Sequence, residues 1–432
     1  MKKAASFALG CKVNQYESEA IAELFAEKGY EIVGIEDEAD VYVINTCTVT
    51  NFGDKKSRQL IRKVKRQNEN AIVAVVGCYA QTAPQELMQV TGVNLVIGTK
   101  DRAQIVEMVE TYDASRGVEN HVTDIMKERV FEPLSIQKLT NRTRAYLKIQ
   151  DGCSQYCSYC IIPYARGPIR SREPQEVLAE VKRLADNGFK EVVLTGIHVA
   201  SYGKDRRDTS LLEILRQVHE VEGIERIRFS SIEPNVVTEE FARTMAELPK
   251  VCDHFHLSLQ SGCDKTLKEM NRKYDTEKYR QAAAILRKHL PHVALTTDII
   301  VGFPGETEED FKASYAFAEE IGFAKIHVFP YSPKRGTPAA ERKDQLPNAV
   351  KSERSHTLIA LSDKMTQDFL QPYIGQEVEV LFERAVGEGV YEGHTTNYIK
   401  VRAAADHDLT NQICKTQITA AQQEELRGEV RA

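Results

Sequence analysis

The amino-terminal quarter of the chain alternates short apolar runs with longer polar segments. The apolar runs, which are typical of buried strands, fall at residues 7–9, 41–44, 72–76 and 95–97. Residues 17–27 and 54–66, which lie between them, have helical composition. This alternation predicts a small parallel sheet with helices on its faces over residues 1–112.

The same alternation occurs six times in the middle of the chain, after a polar stretch at residues 113–139 that we interpret as a linker. The expected strands are residues 145–150, 191–195, 226–230, 254–259, 295–301 and 325–329. Six strand–helix units predict a partial (β/α)6 barrel over residues 140–370, with its chemistry on loops at the carboxyl ends of the strands. Residues 349–370 are expected to form a helix that closes this unit.

The pattern changes again in the last part of the chain, residues 372–432. Residues 376–382, 389–392 and 398–401 alternate like half-exposed strands and are separated by glycine turns. This pattern predicts a small β-barrel appended to the central unit. The fold class is therefore α/β, in three parts.

Composition narrows the class of protein. Hydrophobic residues make up 42% and charged residues 28% of the 432 residues, which indicates a soluble globular protein, and no apolar run approaches the length of a membrane span. The first ten residues lack the apolar core of a secretion signal, so we expect a cytoplasmic protein without membrane contacts. The net charge of −6 gives no global sign of nucleic-acid binding, which would need a local basic patch.

The most specific feature is a C-x3-C-x2-C run formed by Cys153, Cys157 and Cys160 directly after a predicted strand. At the chain's cysteine frequency of 9 in 432, such a run arises by chance in roughly 0.4% of chains of this length. Structural zinc prefers four protein ligands, and the next candidates in sequence are His198 and Cys252. Three thiolates on a cubane iron–sulfur cluster instead leave one iron open to a small molecule.

A second set of cysteines recurs at one structural position in the first unit. Cys11, Cys47 and Cys78 each follow a predicted strand. Successive strand ends of a parallel sheet line the same edge, so the three thiols are expected to converge. This indicates a second three-thiolate cluster rather than three unrelated core cysteines, whereas Cys252, Cys263 and Cys414 share no pattern and are expected to pack in cores.

These motifs resemble those of the radical S-adenosylmethionine methylthiotransferases, and the match covers essentially the whole chain. The three segments that carry the first cysteine set are residues 10–18 (GCKVNQYES), 45–50 (NTCTVT) and 76–81 (VGCYAQ). The radical segment and those that follow it are residues 153–172 (CSQYCSYCIIPYARGPIRSR), 194–196 (LTG), 229–234 (FSSIEP), 256–262 (HLSLQSG) and 298–307 (DIIVGFPGET). The last unit is similar to the family's TRAM domain.

The resemblance implies two [4Fe-4S] clusters and S-adenosylmethionine as cofactors. The cluster at Cys153, Cys157 and Cys160 would bind S-adenosylmethionine and generate a 5′-deoxyadenosyl radical, while the cluster at Cys11, Cys47 and Cys78 would hold or supply the inserted sulfur. One S-adenosylmethionine molecule would donate its methyl group to the sulfur, and a second molecule would be cleaved to form the radical. Both open irons must then face one cavity.

The resemblance also implies which residues bind S-adenosylmethionine. Tyr159 would present its backbone to the adenine, and residues at the ends of later strands would contact the methionine, the ribose or the adenine. Those strand-end residues are Thr195, Gly196, Ser231, Glu233, Ile300, Val301 and Gly302. Ordinary strand-end packing is the alternative for each, above all for the apolar stretch 300–302.

The implied partners are the anticodon stem-loop of tRNA and an electron donor; the sequence specifies neither that donor nor an oligomeric state. Two basic clusters are candidates for contact with RNA phosphates. The first is Lys55, Lys56, Arg58, Arg62, Lys63, Lys65 and Arg66, and the second is Arg142, Arg144, Lys148, Arg166, Arg170 and Arg172. Residues 373–432 carry six Lys or Arg and ten Asp or Glu, a balance of −4, so that unit would bind RNA through shape and the side chains of Arg384, Arg402, Tyr391 and Tyr398.

Within the family, the first motif separates branches by substrate. Cys11-Lys12-Val13-Asn14 resembles the branch that converts N6-threonylcarbamoyladenosine at tRNA position 37 to its 2-methylthio derivative, and residues 198–203 fit the same branch. The isopentenyladenosine branch usually has Gln and Met after the cysteine. Methylthiolation of isopentenyladenosine tRNA or of a ribosomal-protein aspartate is the alternative enzyme function. A zinc-stabilised RNA-binding protein without catalytic activity is the alternative of a different class.

Overall fold

The structure, a computed structural model, describes residues 1–136 and 143–430. The predicted boundary between linker and barrel at residues 139 and 140 lies outside the described residues, and so does Arg142. No helix within the described ranges is long and apolar enough to cross a bilayer.

The amino-terminal unit is a parallel sheet with helices on both faces. Its strands are β1 (Lys3–Ala8), β2 (Glu31–Ile32), β3 (Val41–Thr46), β4 (Ile72–Gly77), β5 (Leu95–Val96) and β6 (Glu119–Asn120). Its helices are α1 (Lys12–Glu27), α2 (Asn51–Gln67), α3 (Cys78–Thr82), α4 (Pro84–Met88) and α5 (Ile105–Glu110). The strands lie in the order β2-β1-β3-β4-β5-β6, and every pair is parallel. All residues of β3 are buried, as expected where helices cover both faces.

The central unit is the predicted partial barrel. Its elements are β7 (Arg144–Asp151), α6 (Ile162–Arg166), β8 (Arg170–Ser171), α7 (Pro174–Asp186), β9 (Glu191–Gly196), α8 (Leu211–His219), β10 (Arg226–Phe229), α9 (Glu239–Glu247), β11 (His254–His256), α10 (Asp264–Glu269), α11 (Thr276–His289), β12 (Ala294–Val301), α12 (Glu308–Ile321), β13 (Lys325–Pro330) and α13 (Asn348–Leu370). Parallel strands β7, β9 and β10 form one sheet and β11, β12 and β13 another, and the bridges Ile227–Val251 and Ile232–Leu257 join the two. The six barrel strands therefore follow one another in chain order.

The carboxyl-terminal unit is a closed five-stranded β-barrel. Its strands are β14 (Glu377–Gly387), β15 (Val390–His394), β16 (Lys400–Ala404), β17 (Ile413–Gln422) and β18 (Glu425–Val430), in the order β14-β15-β16-β18-β17. The sequence predicted the first three strands but not the last two. Between them, β17 and β18 bury only Ile418 and Leu426 as large apolar residues, so their alternation is weak in the sequence.

The closed barrel packs on the amino-terminal ends of the central strands. Arg144, the first residue of β7, donates to Glu383 at 2.7 Å, and Arg226, the first residue of β10, donates to the His394 carbonyl at 2.8 Å. Arg228 donates to the Thr396 carbonyl at 2.9 Å. The carboxyl-terminal ends of the same strands remain free to carry the site.

Candidate active site

Cys11, Cys47 and Cys78 lie at the carboxyl ends of three neighbouring parallel strands. Cys11 caps the amino terminus of α1 just beyond β1, Cys47 directly follows β3, and Cys78 directly follows β4 as the first residue of α3. Because these strands are adjacent in the sheet, the three thiols reach the same edge, as the strand pattern predicts. Their role as cluster ligands stays a prediction.

The loops that carry these cysteines approach each other closely. Gly10 has a φ of +102°, and a Cβ atom there would lie 2.6 Å from the Cys47 Cβ and 2.8 Å from its Sγ. Asn14 Nδ2 donates to the carbonyls of Leu9 at 2.7 Å and Thr46 at 3.0 Å. Cys11 and Cys47 can therefore approach only because residue 10 has no side chain and Asn14 ties the two loops together.

The second cysteine triad lies on a loop beyond β7 that backbone hydrogen bonds hold in place. The amide of Cys153 donates to the Gly167 carbonyl at 3.0 Å, and that of Ser158 donates to the Met270 carbonyl at 3.0 Å. Tyr156 adopts a left-handed φ of +51° between Cys153 and Cys157. This turn gathers the three cysteines at the carboxyl end of the barrel.

One cavity of about 1140 Å³ is lined by all three cysteines of the second triad and by one cysteine of the first. Cys11, Cys153, Cys157 and Cys160 line it. Cys47 contacts Gly10, which lines the cavity as well. A small molecule bound at the second triad would thus share its space with the edge that carries the first.

Each triad has one arginine hydrogen-bonded to a sulfur atom. Arg166 Nε donates to Cys78 Sγ at 3.2 Å, and Arg272 Nη1 donates to Cys157 Sγ at 3.1 Å. Positive donors of this kind stabilise the negative charge of thiolates and of iron–sulfur clusters. The sequence pattern predicted Arg166 as part of an RNA-binding patch and gave no indication of Arg272.

Burial holds several of these thiols in the protonated form. It raises the pKa of Cys78 to about 12, of Cys153 to about 11 and of Cys160 to about 12. Metal ligands must be thiolates, so metal binding at either triad has to displace protons. All six cysteines are free of disulfides.

These donor sets fit a cluster of several irons. Three thiols and a cationic hydrogen-bond donor stand at each site, with open cavity beside them. In residues 1–136 and 143–430, no three Cys, His, Asp or Glu side chains lie close enough together to hold one metal ion. Thiolates bound to different irons of one cluster do not need to meet at a single ion.

Five of the predicted S-adenosylmethionine contacts line the cavity, namely Tyr159, Thr195, Gly196, Ser231 and Glu233. The structure does not bring the other three to it. Ile300 packs with Tyr159 against a small apolar cluster, Val301 is buried, and the Gly302 amide donates to Glu306 at 2.9 Å.

Glu233 is the one carboxylate among these contacts. Arg272 Nη2 donates to it at 2.8 Å, and His198 Nε2 lies 3.3 Å from its other oxygen. Burial opposes ionisation, but the hydrogen bond from His198 and the charge of Arg272 outweigh it and lower the pKa of Glu233. A buried acceptor for an amino group is thus available beside the second triad.

The barrel interior also carries polar side chains that sequence analysis did not single out. His256 Nε2 lies 3.3 Å from Asp298 Oδ2, and its ring stacks on that of His327 with centroids 5.8 Å apart. Burial, followed by the charge of Arg228, lowers the pKa of His254 well below its ordinary value. His254 and His256 are two positions apart on β11, and Asp298 and His327 lie on β12 and β13; polar residues inside predicted buried strands were the available sequence signal.

Lys12, next to Cys11, extends into the same interior. Its Nζ lies 5.8 Å from the centroid of the Tyr146 ring. Burial, followed by the positive charges of Arg144 and Arg228, lowers the pKa of its ammonium group. Positive charge therefore accumulates in this part of the cavity.

The basic cluster predicted around the radical cysteines does not face RNA, and that prediction is wrong for its described members. Those residues are buried and paired with acids: Arg144 with Glu191, Lys148 and Arg166 with Glu17, Arg170 with Asp151, and Arg172 with Glu180. Each acid is brought in by folding, so the sequence neighbourhood alone looks more basic than the site is.

Of the other predicted RNA contacts, most of those on α2 are exposed, whereas those in the closed barrel are mostly paired with an acid or lie at the cavity. On α2, the side chains of Lys55, Lys56, Arg62, Lys63 and Arg66 are exposed. In the closed barrel, Arg384 and Arg402 both pair with Glu392. The Tyr398 ring is stacked between His254 and His394, with centroids 4.9 and 4.7 Å away, and lines the cavity instead of the outer surface.

Two family models match the chain. Residues 147–318 match the radical SAM superfamily, and residues 3–98 match the uncharacterized protein family UPF0004. The first match covers the cysteine triad of the central barrel and its strands as far as β12, and the second covers the part of the first sheet that carries Cys11, Cys47 and Cys78.

Curated relatives match over nearly the whole chain. The threonylcarbamoyladenosine tRNA methylthiotransferase MtaB of Bacillus subtilis is 47% identical over 98% of this chain and 94% of its own length. The protein of the same name from Aquifex aeolicus is 41% identical over 88% of this chain and 92% of its own. The tRNA-2-methylthio-N(6)-dimethylallyladenosine synthase of Moorella thermoacetica is 37% identical over 98% and 96%.

A solved structure supports the fold. The radical S-adenosylmethionine methyltransferase TsrM from Kitasatospora setae has a TM-score of 0.58 at 16% identity, covering 79% of this chain and 75% of that one. At this identity the likeness concerns the fold alone.

Proposed function

The chain belongs to the methylthiotransferase family of radical S-adenosylmethionine enzymes, and on that premise we propose that it converts N6-threonylcarbamoyladenosine at tRNA position 37 to its 2-methylthio derivative. One observation carries the proposal: Cys11 of the first triad and all three cysteines of the second line one cavity that is large enough for a nucleoside and a cofactor. The relative with that named activity is 47% identical to the chain over 98% of its length.

Membership of the radical SAM superfamily implies S-adenosylmethionine and a [4Fe-4S] cluster, for which Cys153, Cys157 and Cys160 are the ligands that fit. We infer a second [4Fe-4S] cluster at Cys11, Cys47 and Cys78. When bound, these groups supply radical activation of an unreactive C–H bond and the sulfur that replaces its hydrogen.

The chain's own residues hold and enclose the reactants. Glu233 accepts hydrogen bonds at the second triad, and Thr195 and Gly196 end β9 beside it, where the methionine part of S-adenosylmethionine would bind. Leu370 and Ile399 also line the cavity and add apolar surface to its wall.

For the tRNA anticodon stem-loop we propose α2 as the electrostatic contact. Its exposed cations begin at Lys55, about one turn into the helix, and exposed Phe52 lies under Lys56 with the ammonium 4.7 Å from the ring centroid. Tyr156 on the loop of the second triad and Tyr164 on α6, both exposed, form an edge-to-face pair and offer stacking surfaces for unpaired bases. The closed barrel would be a TRAM domain, and the enzyme would work in the cytoplasm with an electron donor.

The test is mass spectrometry of nucleosides from tRNA incubated anaerobically with reconstituted enzyme, dithionite and S-adenosylmethionine. We expect a methylthio group on threonylcarbamoyladenosine. A product only on dimethylallyladenosine, or only on a ribosomal-protein acceptor, would overturn the substrate assignment. Zinc in place of iron and acid-labile sulfide would overturn the enzyme class.

Two cysteine variants test whether the two triads have different functions. Cys157→Ala should abolish cleavage of S-adenosylmethionine to 5′-deoxyadenosine because its triad would lose a cluster ligand. Cys47→Ala should keep that cleavage and lose methylthiolation. Full methylthiolation by the Cys47 variant would contradict the two-cluster assignment.

A further inference from the structure

Five Lys and Arg side chains line the cavity, and four of them have carboxylate partners. The pairs are Arg228 with Glu191, Arg272 with Glu233, Lys325 with Asp363 and Glu424, and Lys400 with Glu425. Lys12 has no ion-pair partner anywhere in residues 1–136 and 143–430. An ammonium group that is exposed to a cavity and has no ion-pair partner is a binding group for an anion.

The surroundings of Lys12 are also positively charged. Arg144 and Arg228 oppose its protonation electrostatically, whereas Glu191 favours it. Arg144 pairs with Glu191 and Glu383, and Arg228 pairs with Glu191. Three cations here face two carboxylates, so an acidic group of a ligand would balance the third charge.

The position of Lys12 relates this anion to the reacting base. Lys12 directly follows Cys11, on the side of the cavity from which the proposed function supplies sulfur to C2 of the adenine. In adenine, C2 and C6 are separated by N1 alone, so a substituent on N6 extends close to the reacting edge. With C2 near Cys11, such a substituent lies within reach of a neighbouring side chain that extends into the barrel.

We propose that Lys12 binds the carboxylate of the threonylcarbamoyl group and thereby selects an acidic N6 substituent over an apolar one. The proposal rests on the proposed function and assigns Lys12 as a specificity residue rather than a catalytic one. An apolar substituent would take water from the ammonium group without giving it a partner, which disfavours binding of that substituent.

The test compares two anticodon stem-loops that carry either threonylcarbamoyladenosine or its neutral carboxamide at position 37. Lys12→Gln should lower kcat/KM for the acidic substrate by roughly ten- to a hundredfold, the value of a charge-assisted contact. It should change kcat/KM for the carboxamide by less than about threefold, since no charge is lost there. Lys28→Gln, which removes an exposed charge at the other end of α1, is the matched control and should behave like the wild type on both.

Three further results would overturn the proposal. Equal losses on the acidic and neutral substrates would show that Lys12 supports the site in general. A raised KM for S-adenosylmethionine, or a loss of iron and of uncoupled 5′-deoxyadenosine formation, would assign Lys12 to the cofactors. Wild-type enzyme that is inactive on the acidic stem-loop but active on a dimethylallyl one would overturn the proposed function as well, and this outcome is visible before any variant is made.

Discussion

Glu17 is the residue at which the first unit and the central barrel are joined. Arg102, Lys148 and Arg166 reach it from three separate segments, at 2.5, 2.7 and 2.5 Å. Burial opposes ionisation, but these three positive charges outweigh it and hold the pKa of the Glu17 carboxyl well below its ordinary value. Arg166 also donates to Cys78 Sγ, so one side chain links the interface to the first triad.

Arg166→Gln should therefore affect stability and the first triad together. Removing one partner from a buried ionic network costs about 3 kcal/mol, which a urea titration of the anaerobic protein measures. We also expect the first triad to lose iron while the second keeps its own, as measured by iron content and by spectroscopy of each cluster. Arg166→Lys keeps the charge without the forked geometry of the guanidinium group and should recover part of the lost stability and iron. An unchanged urea midpoint for Arg166→Gln would contradict a stabilising role for the ionic network around Glu17.

His254 gives the fold a defined response to acid. Its pKa is lowered well below 6.5 in the folded state, so near pH 6 this histidine binds a proton in the unfolded chain but stays neutral in the folded chain. The folded state therefore keeps its full stability at pH values above the pKa of this histidine in the unfolded chain, and it loses stability as the pH falls below that pKa. One such group lowers the free energy of unfolding by about 1.4 kcal/mol when the pH falls from 7.5 to 5.5.

His254→Gln should remove that contribution from the pH dependence. The measurement is the urea midpoint of wild type and variant at both pH values. His356→Gln, an exposed histidine on α13, serves as the control and should keep the wild-type difference. Equal pH dependence in wild type and His254→Gln would contradict a neutral, buried His254.

The helix α2 combines a structural face with a binding face. Ile61 and Val64 are buried against the sheet, while Lys55, Arg62 and Arg66 follow one another at helical spacing on the exposed side. Thr50 accepts a hydrogen bond from the Gly53 amide at 3.2 Å and fixes the start of the helix just beyond Cys47. The exposed cations are thereby held at a set distance from the first triad.

The double variant Lys55→Gln/Arg62→Gln should weaken binding of the anticodon stem-loop and flatten its salt dependence. If each cation neutralises one phosphate, the slope of log K against log salt falls by roughly 1.5 for the pair. Fluorescence anisotropy at several salt concentrations measures this slope. The matched control Lys182→Gln/Arg243→Gln removes two exposed charges from α7 and α9 and should leave the slope unchanged.

At the scale of the whole molecule, Tyr398 holds the closed barrel on the central one. Its ring stacks on His254 and His394, and the guanidinium groups of Arg144 and Arg228 lie 5.1 and 4.7 Å from its centroid. Arg144 Nη1 also donates to its hydroxyl at 3.2 Å. This contact closes the end of the cavity opposite the cysteines.

Tyr398→Ala should loosen the closed barrel without unfolding it. We expect limited proteolysis to cut faster between α13 and β14, at residues 371–376, because the docked state loses its stacked ring. Tyr398→Phe keeps the ring and should be cut at nearly the wild-type rate. If Tyr398→Ala is cut no faster than Tyr398→Phe, the ring does not hold the units together.

The kind and order of the elements could be predicted from the sequence because they depend on local patterns. Buried runs such as β3, the six strand–helix units and the two cysteine triads are each encoded within a few residues or by repetition along the chain. The last two strands were missed because β17 and β18 contain few large apolar residues. Ile300, Val301 and Gly302 end a correctly predicted strand, yet the side on which they pack depends on neighbours that the strand itself does not specify.

The sequence by itself determined the architecture, the family and the candidate cysteines for the chemistry, since these follow from spacing and composition. Only the tertiary structure decided what the charged residues do. Arg166 meets Glu17 from 149 positions away, and Lys12 is left without an acid because Glu191 and Glu383 are taken by the arginines beside it. Whether a charge is paired, buried or free to bind a ligand depends on the burial and neighbours that folding creates between distant segments.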